Sequence, residues 1–156
     1  MNHIIGIGDY TVSDGQLDTI QTHALASCVA VTVYSKAKKA AGMIHVALPE
    51  CIDEKHAKLK PGYYATTGVP LFFEKMCNDF GCLKSELHIE LFGGANSIRE
   101  NDLFKIGAKN IEAIKNIVAK MGLNYHLTGI GGNISRTIIM DVATGSIKVY
   151  TQPIKI

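Results

Sequence analysis

The sequence predicts a mixed fold of the broad α/β class, more narrowly α+β, in which sheet predominates and two amphipathic helices pack on one face. Most apolar residues fall in short runs or alternate with polar ones, which is typical of strands. Two longer segments repeat apolar residues every three or four positions, as helices do. No linker or repeat divides the 156 residues, so we expect residues 1–156 to form a single domain.

Eight segments have the composition of strands. In chain order they are residues 4–7, 17–22, 29–34, 40–48, 87–92, 125–127, 138–142 and 147–150. The third and fourth are predicted to form a tight hairpin that turns near Lys36 and Ala37. The last two are predicted to be joined at Thr144 and Gly145.

Two segments have helical periodicity. The first is expected to begin near Thr67, which can cap it, and to end at Gly81, and the second to run from about Gly107 to Gly122. Their predicted buried residues are Val69, Phe73, Met76 and Phe80, and Ala108, Ile111, Ile114, Val118 and Met121. The polar segment 49–62 before the first helix is expected to be a long exposed loop.

Composition argues against several classes of protein. A net charge of +2 with scattered lysines and 7% aromatic residues does not predict nucleic-acid binding. No apolar run approaches the length of a membrane span, and the first residues lack the features of a secretion signal, so we expect a cytoplasmic protein without membrane insertion. The four cysteines contain no C-x-x-C pair or matching histidine spacing, so neither a metal nor a cofactor is expected.

Cys28 and His45 are the candidate reactive pair. Cys28 precedes the first arm of the predicted hairpin, and His45 lies on the second arm. With a turn near residue 36 the two would lie opposite each other, give or take one register step, with Cβ atoms about 4.5–5.5 Å apart. A thiol beside an imidazole is the arrangement of an activated sulfur nucleophile, and a thiolate is expected there. From these two residues alone, ordinary packing remains the more common explanation.

Six short motifs follow one another along nearly the whole chain. They are Thr22-x-x-x-x-Ser27-Cys28-Val29, Gly42-Met43-Ile44-His45-Val46-x-Leu48-Pro49, Tyr64-Ala65, Phe92-Gly93-Gly94-Ala95, Ile106-Gly107-Ala108-Lys109-Asn110 and Gly131-Gly132-Asn133-x-Ser135-Arg136-Thr137. This ordered set resembles the CheD family of chemotaxis proteins. The resemblance implies a layered sandwich of two mixed β-sheets with helices on one side, and the activity of a chemoreceptor glutamine deamidase.

The resemblance also implies roles for particular residues. Cys28 would be the nucleophile, His45 the base, and Thr22 the group that orients the imidazole. Backbone N–H groups near Ser27 and Cys28 are candidates for binding the developing oxyanion. The pair Gly93-Gly94 is predicted to form a tight turn, or to allow a substrate helix to approach closely.

Two functions from different classes follow from the resemblance. The first is deamidation of glutamine, and hydrolysis of glutamate methyl esters, on the cytoplasmic domains of methyl-accepting chemotaxis receptors. The second is a regulatory module that docks and stimulates a CheC-type phosphatase with little turnover; a small-molecule cysteine hydrolase is a weaker third. The chain has Ala24 and Ala26 where the family usually has glycine. A left-handed backbone at either position would be strained and would lower activity.

Overall fold

Two β-sheets lie face to face, and the helices cover the outer side of the larger sheet. The computed structural model describes residues 1–96 and 105–154. The smaller sheet has the order β1-β3-β8-β9, formed by β1 (Asn2–Ile4), β3 (Thr19–Leu25), β8 (Ile134–Asp141) and β9 (Ile147–Pro153). The larger has the order β2-β5-β4-β6-β7, formed by β2 (Tyr10–Ser13), β4 (Val29–Ser35), β5 (Ala40–Val46), β6 (Leu87–Gly93) and β7 (His126–Ile130).

Each sheet contains one parallel pair, β1 with β3 and β6 with β7, so both sheets are mixed. The helices are α1 (Glu54–Leu59), α2 (Ala65–Glu74), which continues into a π-helical turn at Lys75–Asp79, and α3 (Ile106–Lys120). Helices α2 and α3 pack together over the outer face of the larger sheet. The predicted sandwich of two mixed sheets with two main helices on one face is therefore confirmed. No helix within the described ranges is both long and apolar enough to cross a bilayer.

The central strand β4 explains why the core has two layers. Val29, Val31 and Val33 face the helices, whereas Ala30 and Tyr34 face the smaller sheet. A strand covered on both sides has a continuous apolar sequence, which is why this run was predicted correctly within a residue. One core therefore lies beneath the helices and the other lies between the two sheets.

The segment before α2 differs from its prediction. Residues 49–62 were expected to be a loop, but they contain α1, which Asp53 caps by accepting hydrogen bonds from the N–H groups of Lys55 and His56 at 3.0 and 3.3 Å. Thr67 does not cap α2. It lies inside the helix and donates its hydroxyl to the carbonyl of Pro61, because the helix already begins at Ala65.

Several predicted strand bounds are also wrong. Segment 4–7 is a strand only as β1, which ends at Ile4, and β2 was not predicted at all. β3 continues past residue 22, and β8 begins before residue 138. In each case hydrogen bonding to a neighbouring strand, rather than the apolar pattern, decides where the strand ends. β2, for example, is an edge strand that is paired with β5.

Candidate active site

A bulge in β3 determines which side chains reach the space between the sheets. Thr22 pairs with Ile138 and Leu25 with Arg136, so three steps along β3 match two steps along β8. The extra residue reverses the alternation of the strand, and both Thr22 and Leu25 point inward and are buried. Ala24 takes the left-handed conformation at the bulge, with φ 56°. Of Ala24 and Ala26, Ala24 is therefore the strained one.

Replacing Ala24 by glycine should stabilise the protein. Left-handed backbone costs alanine about 1–2 kcal/mol, and glycine loses about 0.5–1 kcal/mol more entropy on folding, so we expect a net gain of up to about 1.5 kcal/mol in the free energy of unfolding. Ala26→Gly is the matched control, because Ala26 has no positive φ, and it should destabilise. Urea unfolding of both variants measures the difference, and equal losses of stability would contradict the assignment.

The register of the hairpin differs from the predicted one. Residues 36–39 form the turn, Ser35 pairs with Ala40, and Ala30 rather than Cys28 lies opposite His45. The predicted direct opposition of Cys28 and His45 is therefore wrong by two positions, because the turn is centred further along the chain than residues 36 and 37. Two positions is one full period of a strand, so Cys28 and His45 still share a face. They are diagonal neighbours, whose Cα atoms are typically about 7–8 Å apart.

Thr22 fixes one nitrogen of the His45 ring. The Thr22 hydroxyl donates its single proton to the carbonyl oxygen of Ile5 at 2.9 Å, and its oxygen lies 2.7 Å from His45 Nδ1. A hydroxyl that has already donated can only accept, so Nδ1 carries the proton and Nε2 carries the lone pair. His45 is 2% exposed, and within the described part of the chain its Nε2 has no hydrogen-bond partner. The ring therefore presents a free base.

Burial sets the charge of both groups. It lowers the pKa of His45 from 6.5 to about 4, against a smaller opposing effect of the Asp9 carboxylate. Burial also raises the pKa of the Cys28 thiol, which its own backbone N–H opposes only in part. Both shifts favour the neutral forms. A thiolate held by the ring, as expected from the sequence, is therefore not the resting state, and the pair rests as thiol and imidazole.

Neighbouring loops hold the backbone around Cys28. The N–H of Gly94 donates to the carbonyl of Cys28 at 2.8 Å, and the N–H of Ala95 donates to the carbonyl of Ala26 at 2.7 Å. Gly93 has φ 104°, and a Cβ there would collide with the carbonyl oxygen of Cys28. The predicted tight turn at Gly93 and Gly94 is not formed, because Gly93 is the last residue of β6 and no turn follows at Gly94. Both glycines have positive φ, and the backbone that approaches Gly93 closely is that of Cys28.

Asn110 lies near the site and had no predicted role. It is 0% exposed, and its Nδ2 donates to the carbonyl of Ser27 at 2.9 Å and to that of Ala47 at 3.0 Å. The helical periodicity could have shown that Asn110 is buried, because it lies four residues before Ile114 on the buried stripe of α3.

Ala108, predicted to be buried, is exposed instead. In the described residues no three His, Cys, Asp or Glu side chains group closely enough to hold a metal ion.

The fold and these side chains define a class of protein: a two-sheet sandwich, covered by helices on one side, with a cysteine on the same face as a buried histidine that is bonded to threonine. A family model described as "CheD chemotactic sensory transduction" matches residues 47–151. The chain belongs to the CheD family, as its motifs predicted.

Similar proteins match over nearly the full chain. A probable chemoreceptor glutamine deamidase CheD of Syntrophotalea carbinolica is 43% identical, with 94% of this chain and 91% of the relative covered. A probable chemoreceptor glutamine deamidase CheD 1 of Syntrophus aciditrophicus is 35% identical, with 94% of this chain and 91% of the relative covered. A probable chemoreceptor glutamine deamidase CheD of Pyrococcus horikoshii is 36% identical, with 93% of this chain and 89% of the relative covered. A crystal structure of a Neisseria meningitidis protein gives a TM-score of 0.44 at 9% identity, covering 83% of this chain and 62% of that one, which is too distant to support an argument.

Proposed function

We propose that this protein converts glutamine side chains of methyl-accepting chemotaxis receptors to glutamate. Cys28 is the nucleophile, His45 the base and Thr22 the residue that orients the base. The observation that carries the proposal is the fixed tautomer of His45, whose Nε2 lone pair is free on the face that Cys28 shares. The names of the relatives support the choice of substrate. In this proposal residues 1–156 act as one domain in the cytoplasm, where the receptor domains lie.

The reaction follows from the neutral resting pair. His45 Nε2 takes the proton of Cys28 as Sγ attacks the carbonyl carbon of the glutamine side chain, and the imidazolium then protonates the departing ammonia. The C–N bond breaks and a thioester remains. Water that gives a proton to His45 attacks the thioester, the C–S bond breaks, and glutamate and the free thiol are formed. A glutamate methyl ester gives the same thioester with methanol as the leaving group.

Cys28 is not a hydrogen-bond partner of His45 Nε2 in the structure, and the proposed steps do not require it to be one before substrate binds. Catalytic hydrogen bonds are often long in an empty site and shorten when substrate binds. In the proposed reaction the proton of Cys28 moves to His45 only as the sulfur attacks the bound amide. The N–H of Cys28 would donate a hydrogen bond to the amide oxygen and stabilise the negative charge that develops on it, and the N–H of Ser27 is a second candidate donor.

A groove beside the site provides a place for a receptor helix. It has a volume of about 760 Å³ and begins just beyond Ala47, with a wall formed by Leu48, Pro49, Ile52, Ile106 and Ala113 and charges from Lys109 and Glu112. Ile52 projects into solvent, 80% exposed. Amphipathic helices bind such grooves through their apolar faces. The substrate that we propose, the cytoplasmic domain of a chemoreceptor, is a helical bundle that can present such a face.

Ile52→Asp should therefore weaken substrate binding. Losing the burial of one isoleucine costs about 1.5–3 kcal/mol, so KM for a receptor fragment should rise about tenfold or more while kcat changes little. Leu17→Asp is the control, because Leu17 is 94% exposed in the turn between β2 and β3, at the end of the larger sheet opposite His45. Equal KM values for the two variants would exclude the groove as the receptor site.

One observation favours the regulatory alternative, in which the protein docks a CheC-type phosphatase. Ala24 is strained at the bulge that follows Thr22 in β3, where the family usually has glycine. The assay that separates the two functions mixes the purified protein with the cytoplasmic fragment of a chemoreceptor. Release of ammonia, with conversion of glutamine to glutamate found by peptide mass, supports the enzyme. Stimulation of a phosphatase without ammonia release supports the module.

A further inference from the structure

We propose that Asn110 is a positioning residue that joins the strand of Cys28 to the strand of His45 and sets the direction of the Cys28 N–H. The inference rests on the proposed deamidation and adds a residue to it. Asn110 lies on α3, far from both strands in sequence, and its side chain is completely buried.

The side-chain amide occupies the place where the hairpin ladder stops. The last pair of β4 and β5 is Val29 with Val46, so Cys28 and Ala47 form the next step of the register. Asn110 Nδ2 has two protons and donates one to the carbonyl of Ser27, which precedes Cys28, and the other to the carbonyl of Ala47. A single nitrogen thus bridges the two arms beyond their own hydrogen bonds and holds both arms at one spacing.

The same contact orients the peptide between Ser27 and Cys28. A trans peptide is planar, so its carbonyl and its N–H point in opposite directions. Because the Ser27 carbonyl points at Asn110, the N–H of Cys28 must point away from α3. This N–H acts on the Cys28 sulfur, where it opposes the effect of burial on the thiol pKa. It is also the first candidate donor to the oxyanion.

Two further observations argue that Asn110 is more than packing. Its Oδ1 is buried without any hydrogen-bond partner among the described residues, a cost that an apolar side chain on this stripe would avoid. The start of α3 is also pressed against the loop that follows β6. A Cβ at Gly107 would collide with the carbonyl oxygen of Ala95, and one at Gly94 with the side chain of Ile111. These close approaches bring Asn110 within reach of the two carbonyls.

The test compares Asn110→Ala and Asn110→Asp with Asn78→Ala, an exposed asparagine in the π-helical turn after α2, outside the groove. We expect Asn110→Ala to lower kcat on a receptor fragment about 100-fold with KM within about twofold, because small misplacements and lost oxyanion donors have effects of this size. Alkylation of Cys28 by iodoacetamide, which needs no receptor, should slow about tenfold, because a misdirected Cys28 N–H no longer lowers the pKa of the thiol. Asn78→Ala should change neither quantity.

Asn110→Asp tests the donated protons in a side chain of the same shape. The protonated carboxyl donates one hydrogen bond, whereas the ionised carboxylate donates none and repels both carbonyl oxygens. Its kcat profile should therefore gain a limb that falls as pH rises, which the wild type lacks. If Asn110→Ala does not fold, this profile decides the question.

Each outcome has one meaning. Wild-type kcat in Asn110→Ala, however much its melting temperature falls, would overturn the positioning role, and so would an Asn110→Asp profile parallel to that of the wild type. If the wild type itself releases no ammonia, deamidation fails. The role of Asn110 is then judged by Cys28 alkylation alone, where equal rates in Asn110→Ala and Asn78→Ala would reject it.

Discussion

Replacing Cys28 by alanine is expected to reduce ammonia release from a receptor fragment by at least about 1,000-fold, because the proposed mechanism has no second nucleophile. The fold should persist, since Cys28 is only half-buried and alanine fills most of its volume. Binding of the receptor fragment should also persist. Ammonia release, calorimetric melting and a binding titration on the same preparation measure the three quantities.

Cys77→Ala is the control for this experiment. Cys77 is also a half-buried free thiol, but it lies in the π-helical turn after α2, on the helical side of the larger sheet. Its loss should leave deamidation unchanged. Full activity of Cys28→Ala would end the case for a cysteine enzyme. An inactive wild type that still binds a CheC-type phosphatase would establish the regulatory function instead.

The second large effect concerns the stability of the protein in acid. His45 has a pKa of about 4 in the folded state against an ordinary value of 6.5, so between these values the unfolded chain binds more protons. The stability contributed by neutral His45 is complete above pH 6.5 and is lost as the pH falls towards 4. The shift corresponds to about 3 kcal/mol at its limit.

His45→Gln should remove this part of the pH dependence. The variant will be less stable at pH 7, because Thr22 loses its bond to the ring. Its free energy of unfolding should nevertheless change less than that of the wild type between pH 6.5 and 4. His23→Gln is the control, since His23 is exposed and is hydrogen-bonded to its neighbour Gln21 on β3, and it should retain the wild-type slope. The same slope in His45→Gln and the wild type would refute the buried neutral imidazole.

The parts of the fold predicted correctly are those in which local pattern and tertiary environment agree. β4 is buried on both faces, and its apolar run showed this directly. The stripe of α2 was placed well, with Val69, Phe73 and Met76 all buried. The prediction failed where a distant partner decided the local structure. Tyr64, for example, bridges to Leu48, and α2 begins directly after it rather than at the expected cap Thr67.

The candidate site was predicted only in part, again because distant contacts decide part of it. The predicted register was wrong by two positions, but side chains alternate with a period of two along a strand, so Cys28 and His45 still lie on one face. Thr22 came from the resemblance alone. The alternation of β3 places it inward with Ile20, but no local pattern shows that it lies beside His45. Asn110 was part of a family motif, but its role depends on two carbonyls that the chain brings together from elsewhere.

The amino-acid sequence alone determined the two periodicities, the main helices, the family and the shared face of cysteine and histidine. All of these follow from the order of residues within one element or hairpin, or from motifs. The tertiary structure decided the tautomer of His45 and the contacts of Asn110. The bonded residues are 23 positions apart for Thr22 and His45, and 83 and 63 apart for Asn110 with Ser27 and Ala47. Such contacts depend on how sheets and helices stack, which the periodicity of a single element does not encode.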